Sequence, residues 1–219
     1  MTPVAYEEGV AYDYSGGNGG NTMNTQRGTT SRIRMSPIVV RAIIVLSLAA
    51  SVCFPVPVTA QTTSPETFPP TARFEIGFSP GGTAEALVVR VIDSATKSIL
   101  CATYDFTSQP IAAALIRAAQ RGVRVSVVAD RREADTRYSE ITRLAHSGIS
   151  VRLDGDYTSF HHKFLIVDAL DVETGSFNYT YSAFKRNAEN VLVIWDAPDV
   201  ADVYTAQWHL LWNQSEASR

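Results

Sequence analysis

Four polar residues at short, regular spacing could together do chemistry: His161, Lys163, Ser176 and Asn178. His161 and Lys163 are two positions apart, so on a β-strand both side chains project from one face. An imidazole can act as a nucleophile or a proton donor near neutral pH. Ammonium, hydroxyl and amide groups can bind the non-bridging oxygens of a phosphate as charge builds on them. These residues therefore predict a phosphodiester-cleaving site.

Two carboxylates accompany this group. Asp168 lies at odd spacing from His161, which places its side chain on the other face of a regular strand. We expect Asp168 to hold the adjacent loop as a charge partner. Glu189 closes a polar run just before an apolar strand. A carboxylate behind a histidine fixes its tautomer and stabilises its charged form, and we assign that role to Glu189.

The elements that must position these residues follow from apolar patterning and turn signals. Strands are predicted at 74–78, 97–106, 123–129, 149–153, 160–167, 172–175 and 190–195. Helices are predicted at 83–95 with Thr83 as the cap, at 108–121, at 134–146 and at 198–212. The strands at 97–106 and 123–129, with the helix between them, predict a right-handed βαβ unit with parallel pairing. The fold class is a three-layer α/β domain with a mixed sheet.

The N-terminal third carries a different composition. Residues 1–34 are polar and Gly/Asn/Thr-rich, and are interpreted as disordered or as lying before the true start at Met35. Residues 35–60 read as a secretory signal peptide, because the uninterrupted apolar run is shorter than the ~20 residues of a spanning helix. An uncleaved membrane anchor is the alternative. A Pro/Thr/Ser linker at 61–72 precedes the folded domain at 73–215. We expect an exported protein, periplasmic or extracellular.

Charge and cysteine content narrow the partners. Residues 61–219 hold 15 Lys and Arg against 19 Asp and Glu, a net charge of −4, so polyanion binding requires a local basic patch. The chain has two cysteines and no C-x-x-C or Cys/His cluster, so no metal site is predicted. Cys53 lies in the predicted signal, and Cys101 lies in an apolar run where a buried, inert thiol is expected.

The complete spacing, H-x-K-x4-D-x6-G-S-x-N, resembles the HKD signature of the phospholipase D superfamily. Glu189 also falls where nuclease-like members carry a glutamate. The similarity extends over 74–214 and looks closest to the small, exported endonucleases with a single motif. The resemblance implies a phospholipase D-like α/β/α fold and assigns catalytic roles to His161, Lys163, Asp168, Ser176, Asn178 and Glu189.

The resemblance further implies a two-step reaction without a metal or other cofactor. One histidine attacks phosphorus to form a phosphohistidine, while a second protonates the leaving oxygen and then activates water. This chain contains a single H-x-K, whereas larger members carry two. We therefore expect a homodimer in which each subunit contributes His161, Lys163 and Asn178 across a two-fold axis.

The motif leaves the substrate open. A nuclease acting on DNA, with RNA as a further candidate, is favoured by the small exported chain and by basic residues expected to bind phosphate: Arg131, Arg132, Arg137, Lys185 and Arg186. An ordinary solvated loop is the alternative for these residues. A phospholipase D acting on lipid head groups would use the same catalytic set. A non-catalytic nucleic-acid binder is the third reading, and the intact catalytic set argues against it.

Overall fold

The computed structural model describes residues 67–218. The predictions for 1–34, for the signal peptide at 35–60 with the expected export, and for the first half of the linker lie outside the described residues. Within 67–218, no helix is both long enough and apolar enough to cross a membrane.

The described residues form eight strands and six helices. The strands are Arg73–Ser79 (β1), Ser98–Thr103 (β2), Arg124–Asp130 (β3), Ser150–Asp154 (β4), Lys163–Val167 (β5), Asp171–Gly175 (β6), Glu189–Trp195 (β7) and Glu216–Ala217 (β8). The helices are Thr83–Ser94 (α1), Gln109–Gln120 (α2), Arg131–Ala134 (α3), Ile141–His146 (α4), Tyr181–Lys185 (α5) and Pro198–Gln214 (α6).

The strands form one mixed sheet in the order β1-β7-β6-β5-β2-β3-β4-β8. β2 pairs parallel with β3, and β3 pairs parallel with β4. All other neighbours pair antiparallel. The parallel pairing of β2 and β3 around α2 confirms the predicted βαβ connection and the mixed sheet.

Side chains of the central strands alternate between two apolar layers, as the pleat of a sheet requires. Cys101, Val127 and Leu165 pack with α1, α2 and α4 on one face. Ala102 and Phe164 pack with α6 on the opposite face. Helices on both faces of the sheet confirm the three-layer α/β/α architecture. Cys101 is fully buried, as expected, and burial raises the pKa of its thiol.

Three local predictions are corrected by the structure. The helix predicted at 134–146 is two short helices, because the Asp130 carboxylate caps α3 and a turn from Thr136 to Ser139 separates it from α4. Thr83 is not the cap of α1; Gly82 is, and the Thr83 hydroxyl instead bonds to Phe78 of β1. The strand predicted from Phe160 begins only at Lys163.

Candidate active site

Most of the predicted catalytic residues meet at one edge of the sheet. β5 runs antiparallel to both β2 and β6, and β7 runs antiparallel to β6. The end of β2, the start of β5, the end of β6 and the start of β7 therefore lie side by side. His161 precedes β5, Ser176 and Asn178 follow β6, and Glu189 opens β7. Residues far apart in sequence thus converge without long loops.

His161 and Lys163 are oriented by Tyr104, which directly follows β2. The imidazole is exposed, and its ring centroid lies 4.7 Å from that of Tyr104. Lys163 Nζ lies 5.2 Å from the same ring and donates a hydrogen bond to the His161 carbonyl at 2.9 Å. Because His161 precedes the regular strand, packing on Tyr104 rather than strand periodicity brings the two together. Sequence reasoning missed Tyr104, although an aromatic residue directly after a buried strand was the available signal.

Lys163 is a buried cation. Its side chain is only 6% exposed, and burial lowers the pKa of its ammonium, while the nearby Glu189 carboxylate acts in the opposite direction. A cation shielded from water interacts more strongly with a phosphate than an exposed one. Lys163 is therefore placed to stabilise negative charge on a bound phosphate and is not an ordinary solvated surface lysine.

The backbone before His161 is held by a buried carboxylate at the end of β3. Asp130 Oδ2 accepts from Phe160 N at 2.9 Å, while Oδ1 caps α3. This side-chain bond replaces a ladder bond, which is why the strand does not begin at Phe160. His162 lies between the Phe160 and Phe164 rings, and burial with neighbouring basic groups lowers the pKa of its imidazole. His162 is thus a packing residue.

The turn after β6 depends on a close backbone approach at Gly175. A Cβ on Gly175 would lie 2.2 Å from the Asn190 carbonyl oxygen. That same oxygen accepts from Ser176 N at 3.1 Å and Phe177 N at 3.3 Å. Only glycine permits the two backbone segments to approach this closely, and this close approach directs Ser176 along the site edge.

Glu189 orients the Ser176 hydroxyl. Ser176 Oγ donates to Glu189 Oε2 at 2.6 Å, and Asn187 Nδ2 donates to Oε1 at 3.0 Å. Among residues 67–218, no hydrogen bond joins Glu189 to His161, so the expected carboxylate–histidine contact is not made within one chain. Glu189 instead accepts the only proton of the Ser176 hydroxyl, so Ser176 can donate to a phosphate only by exchanging this bond.

Asn178 presents an unused amide at the same edge. Its side-chain oxygen is buried and has no hydrogen-bond partner among the described residues. The backbone around it is fixed, because the Asn178 carbonyl accepts from Thr180 N at 2.7 Å. The amide nitrogen, which is not among the buried atoms, carries two N–H donors that a phosphate oxygen would accept.

A buried acid braces the loop that carries Ser176 and Asn178. Tyr179 OH donates to Glu173 Oε2 at 2.5 Å, and both side chains are fully buried. Burial raises the pKa of Glu173 to about 8 despite this bond. The loop is therefore tied to β6 by a carboxyl that is protonated at neutral pH. Glu173 lies in partly apolar surroundings in the sequence, so its role in bracing the loop was not predicted.

Asp168 is not part of the site. Its carboxylate accepts from Thr96 N, Thr96 Oγ1, Lys97 N and Ser98 N at 2.6 to 2.9 Å, at the turn that joins β5 to β6. β5 separates this turn from His161 by roughly 16 Å at the usual rise of a strand. Burial acts to raise the pKa of Asp168, but these bonds outweigh it and lower the pKa. The catalytic assignment is corrected to a structural one, and the expected charge partner is a set of neutral donors.

The predicted basic residues do not form one cluster of equivalent cations. Arg131 pairs with Glu216 of β8 at 2.9 Å, and Arg132 donates to the Thr158 carbonyl at 3.3 Å. Lys185 and Arg186 are exposed at the end of α5 and beyond it. Phosphate binding by Arg131, Arg132, Lys185 and Arg186 stays a prediction, with Arg131 already engaged in an ion pair.

Residues 88–212 match the family model described as "Cardiolipin synthase, PLD-like domain". A phospholipase D from Rickettsia bellii is 40% identical over 131 residues, which are 60% of this chain and 65% of that protein. A mitochondrial cardiolipin hydrolase from Homo sapiens is 35% identical over 138 residues, 63% of this chain and 54% of that protein. The chain thus spans less than two thirds of the length of either relative.

The crystal structure of Nuc from Salmonella typhimurium, a phospholipase D family member, is similar in fold and sequence. It superposes with a TM-score of 0.66 at 41% identity, covering 68% of this chain and 99% of that one. The matched family model spans more than half of this chain and includes the whole site edge from Tyr104 to Glu189. Fold, motif and family model agree, and the chain belongs to the phospholipase D superfamily.

Proposed function

We propose that this protein is a phosphodiesterase that works through a phosphohistidine on His161, and that its substrate is nucleic acid. The observation that carries the proposal is the convergence of an exposed imidazole with Lys163, Ser176 and Asn178 at one sheet edge. An exposed nucleophile beside a buried cation and two neutral donors is what an in-line displacement at phosphorus requires.

In the first step, an imidazole nitrogen of one His161 forms a bond to phosphorus while the phosphorus–oxygen ester bond breaks. The leaving oxygen takes its proton from a second imidazole. That second imidazole then accepts a proton from water, which attacks phosphorus and releases His161. The ammonium of Lys163 and the amide of Asn178 stabilise the non-bridging oxygens in both steps. The Ser176 hydroxyl joins them by exchanging its hydrogen bond to Glu189 for one to a phosphate oxygen. No metal takes part in this scheme.

The second imidazole must come from another copy of the chain. The sequence holds one H-x-K, and His162, the nearest other histidine, is wedged between two phenylalanine rings. A two-fold axis beside the site edge would face one His161 with another across a single phosphate. We therefore propose a homodimer whose active site is complete only when two subunits meet.

Nucleic acid is favoured by the surface that continues from the site. The loops after β2 and β6 and the connection between α3 and α4 line an open cavity that holds two exposed tyrosines and an arginine beside three carboxyl groups. Tyrosine and arginine side chains suit bases and phosphates better than acyl chains. DNA is the first candidate, and RNA the second.

Lipid head groups remain a second candidate because of a specific surface feature. Phe74, Ile76 and Phe78 on edge strand β1 are between 52% and 70% exposed, and their alternation places them on one face. An apolar strip of this kind suits a membrane surface. Relatives named phospholipase D and mitochondrial cardiolipin hydrolase point the same way.

The deciding experiment incubates purified protein, with EDTA present, with plasmid DNA and separately with phosphatidylcholine or cardiolipin vesicles. We expect cleavage of DNA and no release of head groups. His161→Ala should remove cleavage while leaving the folded state intact, and His209→Ala on α6 is the matched control. Hydrolysis of the vesicles without cleavage of DNA would show that the protein is a phospholipase rather than a nuclease. Full activity of His161→Ala would overturn the mechanism.

Oligomeric state gives an independent test of the shared site. We expect sedimentation to show a dimer under assay conditions. Mixing inactive His161→Ala subunits with wild-type subunits should then lower activity per wild-type chain, because mixed dimers carry one imidazole. A fully active monomer would remove the two-subunit proposal.

A further inference from the structure

A cavity of about 850 Å³ is lined in part by the loops that follow β2 and β6, the strands whose ends carry the site, and takes no part in the chemistry described above. We call it the flanking pocket. Its walls come from the loop after β2, the connection between α3 and α4, and the first turn of α5. The residues used below are Asp105, Arg137, Tyr138, Glu140, Thr180 and Tyr181.

The flanking pocket and the site are built on the same two loops. Phe106 and Tyr179 form a parallel bridge, and the Tyr179 carbonyl accepts from Thr107 N at 2.9 Å and Ser108 N at 2.8 Å. The first loop begins at Tyr104, on which His161 packs, and the second begins at Ser176. The loops that carry Tyr104 and Ser176 thus continue into two walls of the pocket.

Two aromatic side chains stand on the walls without being used for folding. Tyr138 is 72% exposed and Tyr181 is 58% exposed. The Arg137 guanidinium lies 5.5 Å from the centre of the Tyr138 ring. This contact holds one ring face and leaves a cation at the rim, next to an aromatic surface on which a base can stack.

The lining carries three carboxyl groups, of Glu85, Asp105 and Glu140, and one guanidinium, of Arg137. Asp105 is half-buried in the wall, and burial raises the pKa of its carboxyl, followed by the effect of Glu133. Glu140 is paired with Arg143 at 2.8 Å. Carboxyl groups repel a phosphate but accept hydrogen bonds from the amino groups of bases. Arg137 at the rim offers the phosphate contact.

We propose that the flanking pocket binds an unpaired base next to the scissile phosphate, stacked on Tyr138 or Tyr181, and so selects single-stranded nucleic acid. The proposal rests on the nuclease function proposed above. In a duplex the bases are paired and stacked inside, so their faces cannot enter a side pocket without being extruded. A volume of about 850 Å³ lies within the usual range for ligand sites and accommodates a base with its sugar.

The test compares a Tyr138→Ala/Tyr181→Ala double variant with a Tyr138→Phe/Tyr181→Phe control that keeps both rings. The substrates are a single-stranded DNA oligonucleotide, the same sequence as a duplex, and bis(p-nitrophenyl) phosphate, which has no base. We expect the alanine variant to raise KM for the single strand by about 10-fold or more, as loss of base stacking does. The phenylalanine control should retain the wild-type KM, and all three proteins should hydrolyse the small diester alike.

The possible results distinguish failure of the base-binding pocket from failure of the proposed nuclease function. An unchanged KM for single strands in the alanine variant, or equal wild-type KM values for single and double strands, would overturn the pocket and leave the nuclease standing. Hydrolysis of the small diester without cleavage of any nucleic acid would overturn both.

Discussion

The two ends of the β5–β6 hairpin use polar side chains in opposite ways. At the turn end, the Asp168 carboxylate accepts four hydrogen bonds, from two donors of Thr96 and from the amides of Lys97 and Ser98. At the site end, His161 is exposed and the buried Asn178 side-chain oxygen has no partner among the described residues. The turn end is saturated, whereas at the site end Ser176 is hydrogen-bonded but the His161 and Asn178 side chains are not bonded to any described residue.

The difference shows what the H-x-K-x4-D motif encodes. His161 and Lys163 lie at the site end, whereas Asp168 lies a full strand away and fixes the start of β2 to the hairpin. Saturated polar groups stabilise a framework, while unsatisfied buried ones carry a cost that a ligand can relieve. The motif therefore combines a chemical pair with a structural anchor, and substitutions at the two ends should separate activity from stability.

The largest expected effect is at Lys163. Lys163→Met removes the buried cation but keeps the length and volume of the side chain, so kcat should fall about 10²- to 10³-fold. The free energy of unfolding should stay unchanged or rise, because the lysine is desolvated. Steady-state kinetics and urea unfolding measure both. Lys97→Met, the same change at an exposed position of the turn end, should change neither kcat nor the free energy of unfolding. An equally inactive Lys97→Met would show that the two ends of the hairpin do not differ in this way.

The second effect contrasts Glu173 with Asp168. Glu173 has one donor, Tyr179, and burial raises its pKa to about 8. Above the ordinary pKa of a glutamate, the Glu173 carboxyl therefore keeps its proton in the folded state but loses it in the unfolded state. Its contribution to the free energy of unfolding is complete in acid and is lost as the pH rises to about 8. The expected slope is about 1.4 kcal/mol per pH unit well below pH 8 and levels off near the folded pKa, so the loss between pH 6 and 8 is about 2 kcal/mol.

Glu173→Gln keeps a neutral hydrogen-bonding side chain and should flatten this dependence. Urea unfolding of both proteins at pH 6, 7 and 8 measures it. Asp171→Asn, on the same strand but next to the turn end, serves as the comparison. Parallel pH profiles for the wild type and Glu173→Gln would show that the carboxyl is not protonated in the folded state.

Most of the fold and half of the site could be predicted from the sequence, for identifiable reasons. Continuous apolar runs predict the central strands because both of their faces are buried. The motif brings His161 and Lys163 to the same strand end, although packing on Tyr104 rather than the strand period holds them together. The contacts that were missed are between residues remote in sequence. Tyr104 meets His161 only because β2 and β5 are neighbours, and Arg131 meets Glu216 only because β8 closes the sheet edge. No local pattern contains such pairings.

Asp168 gives the third effect, on stability rather than turnover. Asp168→Ala leaves four donors without their acceptor and should lower the free energy of unfolding by about 2 kcal/mol, since water reaches part of this turn. The pKa of Asp168 is lowered by its hydrogen bonds, so its contribution is present above its ordinary pKa and is lost as pH falls through the lower folded value. Asp171→Ala, which removes the acceptor of one backbone amide, should cost less. A large loss of kcat in folded Asp168→Ala would return this residue to the chemistry.

The smallest effect concerns Ser176, whose hydroxyl is aimed by Glu189. Ser176→Ala should lower kcat about 10-fold, the usual consequence of losing one neutral hydrogen bond in a transition state. If Glu189 acts only through Ser176, Glu189→Gln combined with Ser176→Ala should lose no more than the larger single change. Thr96→Ala at the turn end is the control and should leave kcat unchanged. If Glu189→Gln lowers kcat far more than Ser176→Ala does, and the double variant is no more active, this carboxylate has a second partner. The imidazole of another subunit is then the group to examine.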